Sequence, residues 1–465
     1  MDVDLEKATP EELRELIRLL LQRVQLLEAR VEELEAENER LRRENERLGG
    51  EGGKKKPPSW AKANRPQGEK REPKKREKGY GRRRDKVTHQ VKHAYAECPE
   101  CGTPLKGGRE RSRRTVITLP RIRVQVTEHI MVERKCPKCQ KAFTPKAEME
   151  QVAVGQQRVG ISVQSEVVML REGCRMPFGV IQRYLEQHCE LHLSVGELVA
   201  LVQGFAKRGK GEYEALREQI RGSPVVHGDE TGWREDGHNG YLWSFSTPEV
   251  RYFLYRQSRG KTVVSEVLGD EFDGVLVSDF YGGYNVHKGN HQRCWIHLLR
   301  DIHDLKEAHP QDEKVAEWAD GVRQVYDRAK AYAGPDQGLP PVQQQAERRK
   351  QQLQFEKELR ELCEPHVRKG LPMSTLCKRV EKFLPEMFMF VADPRVPADN
   401  NAAERSLRGQ VVSRKISGGT RSEQGSQAKS ISASLVGTWC LRGIDLYQAC
   451  RRVLTTPHPT PEPEV

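Results

Sequence analysis

At 465 residues, 36% hydrophobic and 31% charged, the chain is long enough for about two to four modules with at least one large core. No apolar run approaches the roughly 20 residues that cross a bilayer, and the acidic, helix-patterned N-terminus is unlike a secretory signal, so a cytoplasmic protein with no membrane partner is expected. Eleven cysteines, an odd number, without an export signal argue for thiols and metal ligands over a disulfide framework.

Residues 1–50 read as a leucine-zipper coiled coil. Leu13, Leu20, Leu27, Leu34, Leu41 and Leu48 recur every seven residues, which puts Ile17, Val24, Val31, Asn38 and Asn45 at the partnering a positions. β-branched residues at a, Leu at d and a polar Asn fixing register form the parallel-dimer pattern, so a homodimer is expected. Arg23 with Glu28, Arg30 with Glu35 and Glu37 with Arg42 would pair across two copies. Thr9, Pro10 and Glu12 open the helix, and Gly49 and Gly50 end it. A single amphipathic helix packed on its own chain is the plainer alternative.

Residues 51–93 follow as a basic disordered linker. Between Lys54 and Lys92 there are 16 Lys and Arg against 4 Asp and Glu, an excess equal to the +12 net charge of the whole chain. Rich in Pro and Gly and poor in aliphatic residues, this stretch should be solvated, and Arg82, Arg83 and Arg84 within it are candidate DNA contacts. A solubilising tether is the alternative. In basic-zipper regulators the basic segment precedes the zipper as continuous helix; here it follows, broken by Gly and Pro.

Residues 94–147 carry two CxxC knuckles, Cys98-Pro-Glu-Cys101 and Cys136-Pro-Lys-Cys139, with 34 residues between them. Four thiolates in two pairs fit one tetrahedral, structural Zn²⁺, giving a zinc-ribbon DNA-binding domain. Strands are expected from the alternation of Arg121-Ile-Arg-Val-Gln-Val-Thr127 and from Ile130-Met-Val132. Arg109, Arg111, Arg113 and Arg114 would give the domain a basic surface. Neither knuckle opens a helix after a strand, as redox CxxC chemistry requires.

Residues 148–221 read as helices. Pro177 to Leu185 follows a Gly-Cys-Arg-Met break, and Ser194-Val-Gly-Glu197 forms a capping box. A helix-turn-helix and a plain bundle buttressing the next domain both satisfy this pattern. Cys174 and Cys189 are expected to be buried thiols.

From residue 222 the pattern turns to strands: Val225 to Asp229, Tyr241 to Ser246 and Arg251 to Tyr255, then a helix over Thr262 to Leu268 and a strand over Val275 to Asp279. His291 to Trp295 could be a fifth strand, followed by a helix over Ile296 to Glu307. Three antiparallel-looking strands, a helix and a fourth strand follow the opening order of a ribonuclease-H-like fold. The whole chain is therefore expected to be multidomain α+β, with catalytic-core parts at 222–307 and 398–455, a helical insertion at 308–397 and a disordered tail at 456–465. Asp229 and Asp279 close two apolar runs, and Glu404 lies in the helix-like stretch Asp399-Asn-Asn-Ala-Ala-Glu404-Arg-Ser-Leu-Arg408. Three carboxylates brought together would hold hard divalent cations. A lone Asp after a strand is more often a turn residue or cap. Glu230 should point to the opposite strand face, and Asp399 should cap the helix of Glu404. Asp301, Asp393 and Glu423 are the reserve acids. Arg405, Arg408, Arg414 and Lys415 are candidate DNA contacts, Cys294 a core residue, and His297 a neighbour of the site.

These motifs, together with His227-Gly-Asp229-Glu-Thr-Gly-Trp233, Ser278-Asp279-Phe-Tyr-Gly-Gly-Tyr284 and Cys294-Trp-Ile-His297-Leu-Leu-Arg300, resemble the transposases of the insertion sequence 66 family, of the DDE group. The zipper and four-Cys ribbon occur in that family too. The resemblance implies that Asp229, Asp279 and Glu404 are the catalytic acids, holding two Mg²⁺ or Mn²⁺ ions, and that the protein is a nucleoid-associated bacterial enzyme. The partners it implies are the terminal inverted repeats of the element and target DNA, with small accessory proteins of the same element. Where Arg-Lys-Asn and an aromatic residue would follow the pattern, this chain has Arg414-Lys-Ile-Ser-Gly-Gly-Thr420. A catalytically inactive zinc-ribbon and leucine-zipper regulator and a junction nuclease on the same fold are the alternatives.

Overall fold

A computed structural model describes residues 9–48, 86–119, 122–145, 149–333, 341–368 and 370–456. The candidate DNA contacts Arg82, Arg83 and Arg84, and most of the basic linker, lie outside them. The chain divides into two compact units, residues 1–116 and 117–465.

In the first unit, α1 (Pro10–Leu48) is a continuous 39-residue helix beginning at the expected proline. Val24, Leu27, Val31 and Leu34 are 44–56% exposed, so among the described residues nothing covers this part of the heptad stripe. Downstream, the Cys98 knuckle is a closed turn. Gly102 N–H donates to the Cys98 carbonyl at 2.8 Å and Cys98 N–H to the Thr103 carbonyl at 2.8 Å, with Gly102 at φ 73°.

In the second unit, the Cys136 knuckle repeats that turn. Gln140 N–H donates to the Cys136 carbonyl at 2.9 Å and Cys136 N–H to the Lys141 carbonyl at 2.8 Å, with Gln140 at φ 60°. Around it pair β1 (Arg134–Lys135) and β2 (Ala142–Phe143). The strands expected at 121–127 and 130–132 are absent among the described residues. Alternation makes a strand only where a neighbour completes the ladder; here no neighbour does, and Val126 and Ile130 stand 91% and 72% exposed.

The sheet of the second unit has the order β5–β4–β3–β6–β7. Its strands are β3 (Val225–Glu235), β4 (His238–Ser246), β5 (Arg251–Arg256), β6 (Val275–Ser278) and β7 (His291–Arg293). β3 pairs antiparallel with β4 and β4 with β5, whereas β6 runs parallel to both β3 and β7. A tight turn at Asp236 (φ 48°) and Gly237 (φ 80°) joins β3 to β4, the two-residue hairpin that an Asp-Gly pair favours.

Period-two alternation gives the sheet two apolar faces. Val226, Trp243, Phe245, Tyr252, Leu254 and Leu276 pack on α2 (Ile161–Val168), α3 (Phe178–Cys189), α4 (Val195–Arg221), α5 (Thr262–Leu268) and two C-terminal helices. Val225, Val275 and Val277 face α6 (Trp295–Ala308) and the insertion helices α7 (Glu313–Tyr332), α8 (Pro341–Cys363), α9 (Ser374–Phe383) and α10 (Met389–Ala392). The capping box opens α4 as expected: Glu197 N–H bonds Ser194 Oγ, and Ser194 N–H bonds Glu197 Oε2. α4 buries Leu198, Leu201, Val202, Phe205, Ala206, Gly209, Tyr213, Leu216 and Ile220. Cys189 is buried, but Cys174 is exposed, because it sits at a turn whose next residue, Arg175, is left-handed (φ 60°).

The chain ends with α11 (Asn401–Ser417), α12 (Glu423–Leu441) and α13 (Leu446–Thr455). α12 seals the sheet edge in an unusual way. Ser430, Ser434 and Thr438, four residues apart on one helix face, accept the outward N–H groups of Tyr255, Phe253 and Arg251 at 2.9, 2.7 and 3.0 Å. A buried ion pair, Lys429 to Glu172 at 2.6 Å, ties α12 to the π-helical turn Met169–Gly173.

Candidate active site

Two of the three acids meet through strand register. His227 of β3 lies opposite Val277 of β6 in the parallel pair, and continuing two residues sets Asp229 level with Asp279. β6 has ended at Ser278, and Asp279 turns back on itself, its Oδ1 accepting the N–H of Tyr281 at 2.9 Å. Burial pushes the Asp229 carboxyl up to about 7; the nearby charges of Glu230, Asp279 and Glu404 add to the shift, while the Glu230 N–H opposes it. All three candidate acids therefore share one electrostatic environment.

Glu404 reaches this place because α11 is tied at three points, two on β3 and one on β4. At its start, Asn400 is 1% exposed; its Nδ2 donates to the Gly228 carbonyl at 2.7 Å, and its Oδ1 lies 3.0 Å from His227 Nδ1. With Nδ2 already donating, Oδ1 must accept, so the His227 proton sits on Nδ1. Burial holds that imidazole below its usual pKa. The Asn400 N–H also points to Cys294 Sγ at 3.2 Å, fixing the start of α6, and Cys294 is buried as expected. Midway, Ser406 Oγ lies 3.0 Å from Ser244 Oγ. Near the end, Arg414 donates to Thr231 Oγ1 at 3.0 Å and to the Gly232 carbonyl. The following loop docks on β3 as well: Thr420 N–H donates to the Arg234 carbonyl at 2.9 Å. A Cβ on Gly419 would come within 2.2 Å of that oxygen, so only glycine fits.

His297, in the first turn of α6, places Nε2 4.0 Å from Glu404 Oε1, and its buried Nδ1 has no hydrogen-bond partner among the described residues. Glu230 points to the opposite strand face from Asp229, as alternation requires. There it accepts from Tyr284 Oη at 2.6 Å and Arg259 Nε at 2.8 Å, and Arg259 stacks 3.8 Å over Tyr281. Asp399 accepts the N–H of Asn401 at 3.1 Å, holding the first helical residue from just outside the helix. Of the reserve acids, Asp301 pairs with Arg379 and Asp393 with Arg395, whereas Glu423 opens α12 behind its Ser422 cap. Among the described residues no Lys or Arg forms an ion pair with Asp229 or Asp279, and no three His, Cys, Asp or Glu side chains form a ready metal cage.

The model of the Transposase IS66 family matches residues 156–428, a span holding all three acids and more than half the chain. The chain belongs to the IS66 transposase family. A curated relative, the uncharacterised protein y4jO of Sinorhizobium fredii, is 29% identical over 178 residues, which are 38% of this chain and 50% of that protein. The chain thus matches about half the length of that relative.

Within this transposase family assignment, the DNA-contact candidates divide. Arg405, Arg408 and Lys415 are exposed on α11, whereas Arg414 is engaged on β3. Asn400, His227 and the staple role of Arg414 were not read from sequence. A histidine inside an apolar strand and paired asparagines before a helix were the available signals, but their partner lies over 170 residues away.

Proposed function

We propose that the chain is a DDE transposase that binds the terminal inverted repeats of an insertion sequence and carries out metal-dependent DNA cutting and strand transfer. What supports this reading is the surroundings of Asp229: continued strand register sets it level with Asp279, just past the end of β6, and the charges of Asp279 and Glu404 both reach it. Glu404 rides a helix tied to β3 through Asn400 and Arg414. The strand order, three antiparallel strands followed by two parallel ones, fits a ribonuclease-H-like core.

The donor set fits Mg²⁺ or Mn²⁺: three carboxylates, negative charge around Asp229, and, among the described residues, no Lys or Arg paired with the two aspartates. Asp229, Asp279 and Glu404 would hold the ions. Bound there, the ions would supply activation of water or a 3′-hydroxyl and stabilisation of the leaving oxygen. The chain's own part is to hold the carboxylates in register through Asn400, Ser406 and Arg414, and to grip DNA phosphates with Arg405, Arg408 and Lys415. Arg82, Arg83 and Arg84 would add sequence-independent affinity.

Cys98, Cys101, Cys136 and Cys139 would hold one structural Zn²⁺. The two knuckles share one turn geometry, and hydrogen bonds hold the Cys101 and Cys136 thiols below their ordinary pKa, favouring the thiolate that zinc binds. Elemental analysis should find one zinc per chain, lost in Cys98→Ser; a zinc-free wild type would exclude the site. The open stripe of α1 supports a parallel homodimer. Small accessory proteins of the same element and a place on the bacterial nucleoid follow from the family reading.

Asp279→Asn tests the catalytic claim. Cutting of DNA ends from the chain's own locus should vanish while DNA affinity stays within about twofold, because one neutralised ligand removes metal charge stabilisation but no phosphate contact. A variant that still cuts would sink the assignment.

A further inference from the structure

Asp279 and Glu404 are separated by 124 residues, most of them in α6 to α10. Where this insertion returns to the sheet, the short turn Leu384–Glu386 lies against β7. Three nearby side chains bond to it. Gln292 Nε2 donates to the Met387 carbonyl at 3.1 Å, Trp295 Nε1 to the same carbonyl, and Arg293 Nε to Glu386 Oε2.

Arg293 is the informative member. It is 1% exposed, and every nitrogen of its guanidinium is used. NH1 donates to the Asp279 backbone carbonyl at 2.8 Å and leans on Ser278 Oγ at 3.4 Å. NH2 donates to Asn285 Oδ1 at 2.7 Å, and the group lies 4.5 Å over the Phe383 ring of α9. Ser278 Oγ also donates to the Asp279 carbonyl, at 2.9 Å. A buried guanidinium needs a counter-charge, and Glu386 is the carboxylate that forms an ion pair with it among the described residues.

We propose that the helical insertion supports the catalytic site: Glu386 fixes Arg293, and Arg293 fixes the strand end that presents Asp279. Both are positioning residues. The insertion thereby sets the aim of the second acid. This inference rests on the reading that Asp279 holds a divalent ion.

The test uses full-length protein and Mn²⁺, titrated by calorimetry without DNA, beside the rate of cutting, DNA affinity and melting temperature. Glu386→Ala should weaken Mn²⁺ binding about tenfold, as loss of a group orienting a metal ligand does. Excess Mn²⁺ should restore cutting, and DNA affinity should hold. Glu386→Gln still accepts the Arg293 Nε–H, so it should fold even if the alanine variant does not; about a threefold loss is expected, with Arg293→Lys losing more. A folded Glu386→Ala, or the pair Glu386→Gln and Arg293→Lys, with wild-type Mn²⁺ affinity and cutting would overturn the proposal. Failure of the underlying reading looks different: wild type would bind no Mn²⁺ and Asp279→Asn would match it, which overturns both.

Discussion

Asp229 is the residue on which the site's cost falls. Its carboxyl, ordinarily near 3.8, is pushed up to about 7 by burial and by the acids around it. The unfolded chain therefore gives up this proton more easily than the folded one. The associated stability is fully present below about pH 4 and is lost as the pH rises through about 7. Without metal, the melting temperature should fall across that window by an amount on the order of a few kcal/mol in free energy. Asp229→Asn should flatten the decline and raise the melting temperature at pH 8 while abolishing cutting; a variant that melts lower than wild type at pH 8 would refute this. Added Mg²⁺ should stabilise wild type far more than the variant, because an ion that binds only the folded state shifts the equilibrium.

Among the elements, α12 does for β5 what a further strand would do. Exposed strand edges invite pairing with other chains, and here Ser430, Ser434 and Thr438 occupy the ladder sites instead. Ser434→Ala leaves the Phe253 N–H without a partner and should cost about 1–3 kcal/mol, measurable by denaturant unfolding. An unchanged midpoint would mean that another group or water takes the serine's place. This seal was not legible in the sequence, because serines four apart on a helix look like a polar face until a strand lies beside them. β3, β4, β5 and β6 were legible as short runs rich in β-branched and aromatic residues, bounded by Gly, Pro and polar residues. The expected strand ending at Asp229 was too short: β3 runs on to Glu235, so Asp229 lies inside it, whereas Asp279 does fall just past the end of β6. Glu404 needed more: its helix says nothing of β3 until Asn400 meets Gly228. The Asp236-Gly237 pair is a local hairpin signal, with both residues at positive φ. The ribbon strands failed for the opposite reason, alternation without a partner.

At the scale of the whole molecule, the second unit is a sheet with helices on both faces, and its candidate site lies where β3 outruns β6. The first unit contributes a helix whose apolar stripe is open along Val24, Leu27, Val31 and Leu34. Dimerisation would cover it, and Val24→Glu with Val31→Glu should shift the sedimenting species from dimer to monomer, because charge at a positions disrupts the seam. Wild type sedimenting as a monomer at micromolar concentration would remove the zipper from the account. A transposase differs from a nuclease on the same fold in what the freed 3′-hydroxyl does next. The most direct measurement incubates the purified full chain and Mn²⁺ with DNA ends from its own locus and a target plasmid, and sequences the products. Ends covalently joined to target by wild type, and none by Asp279→Asn, are predicted. Cut but never joined ends, or joined ends from the Asp279→Asn protein, would contradict it.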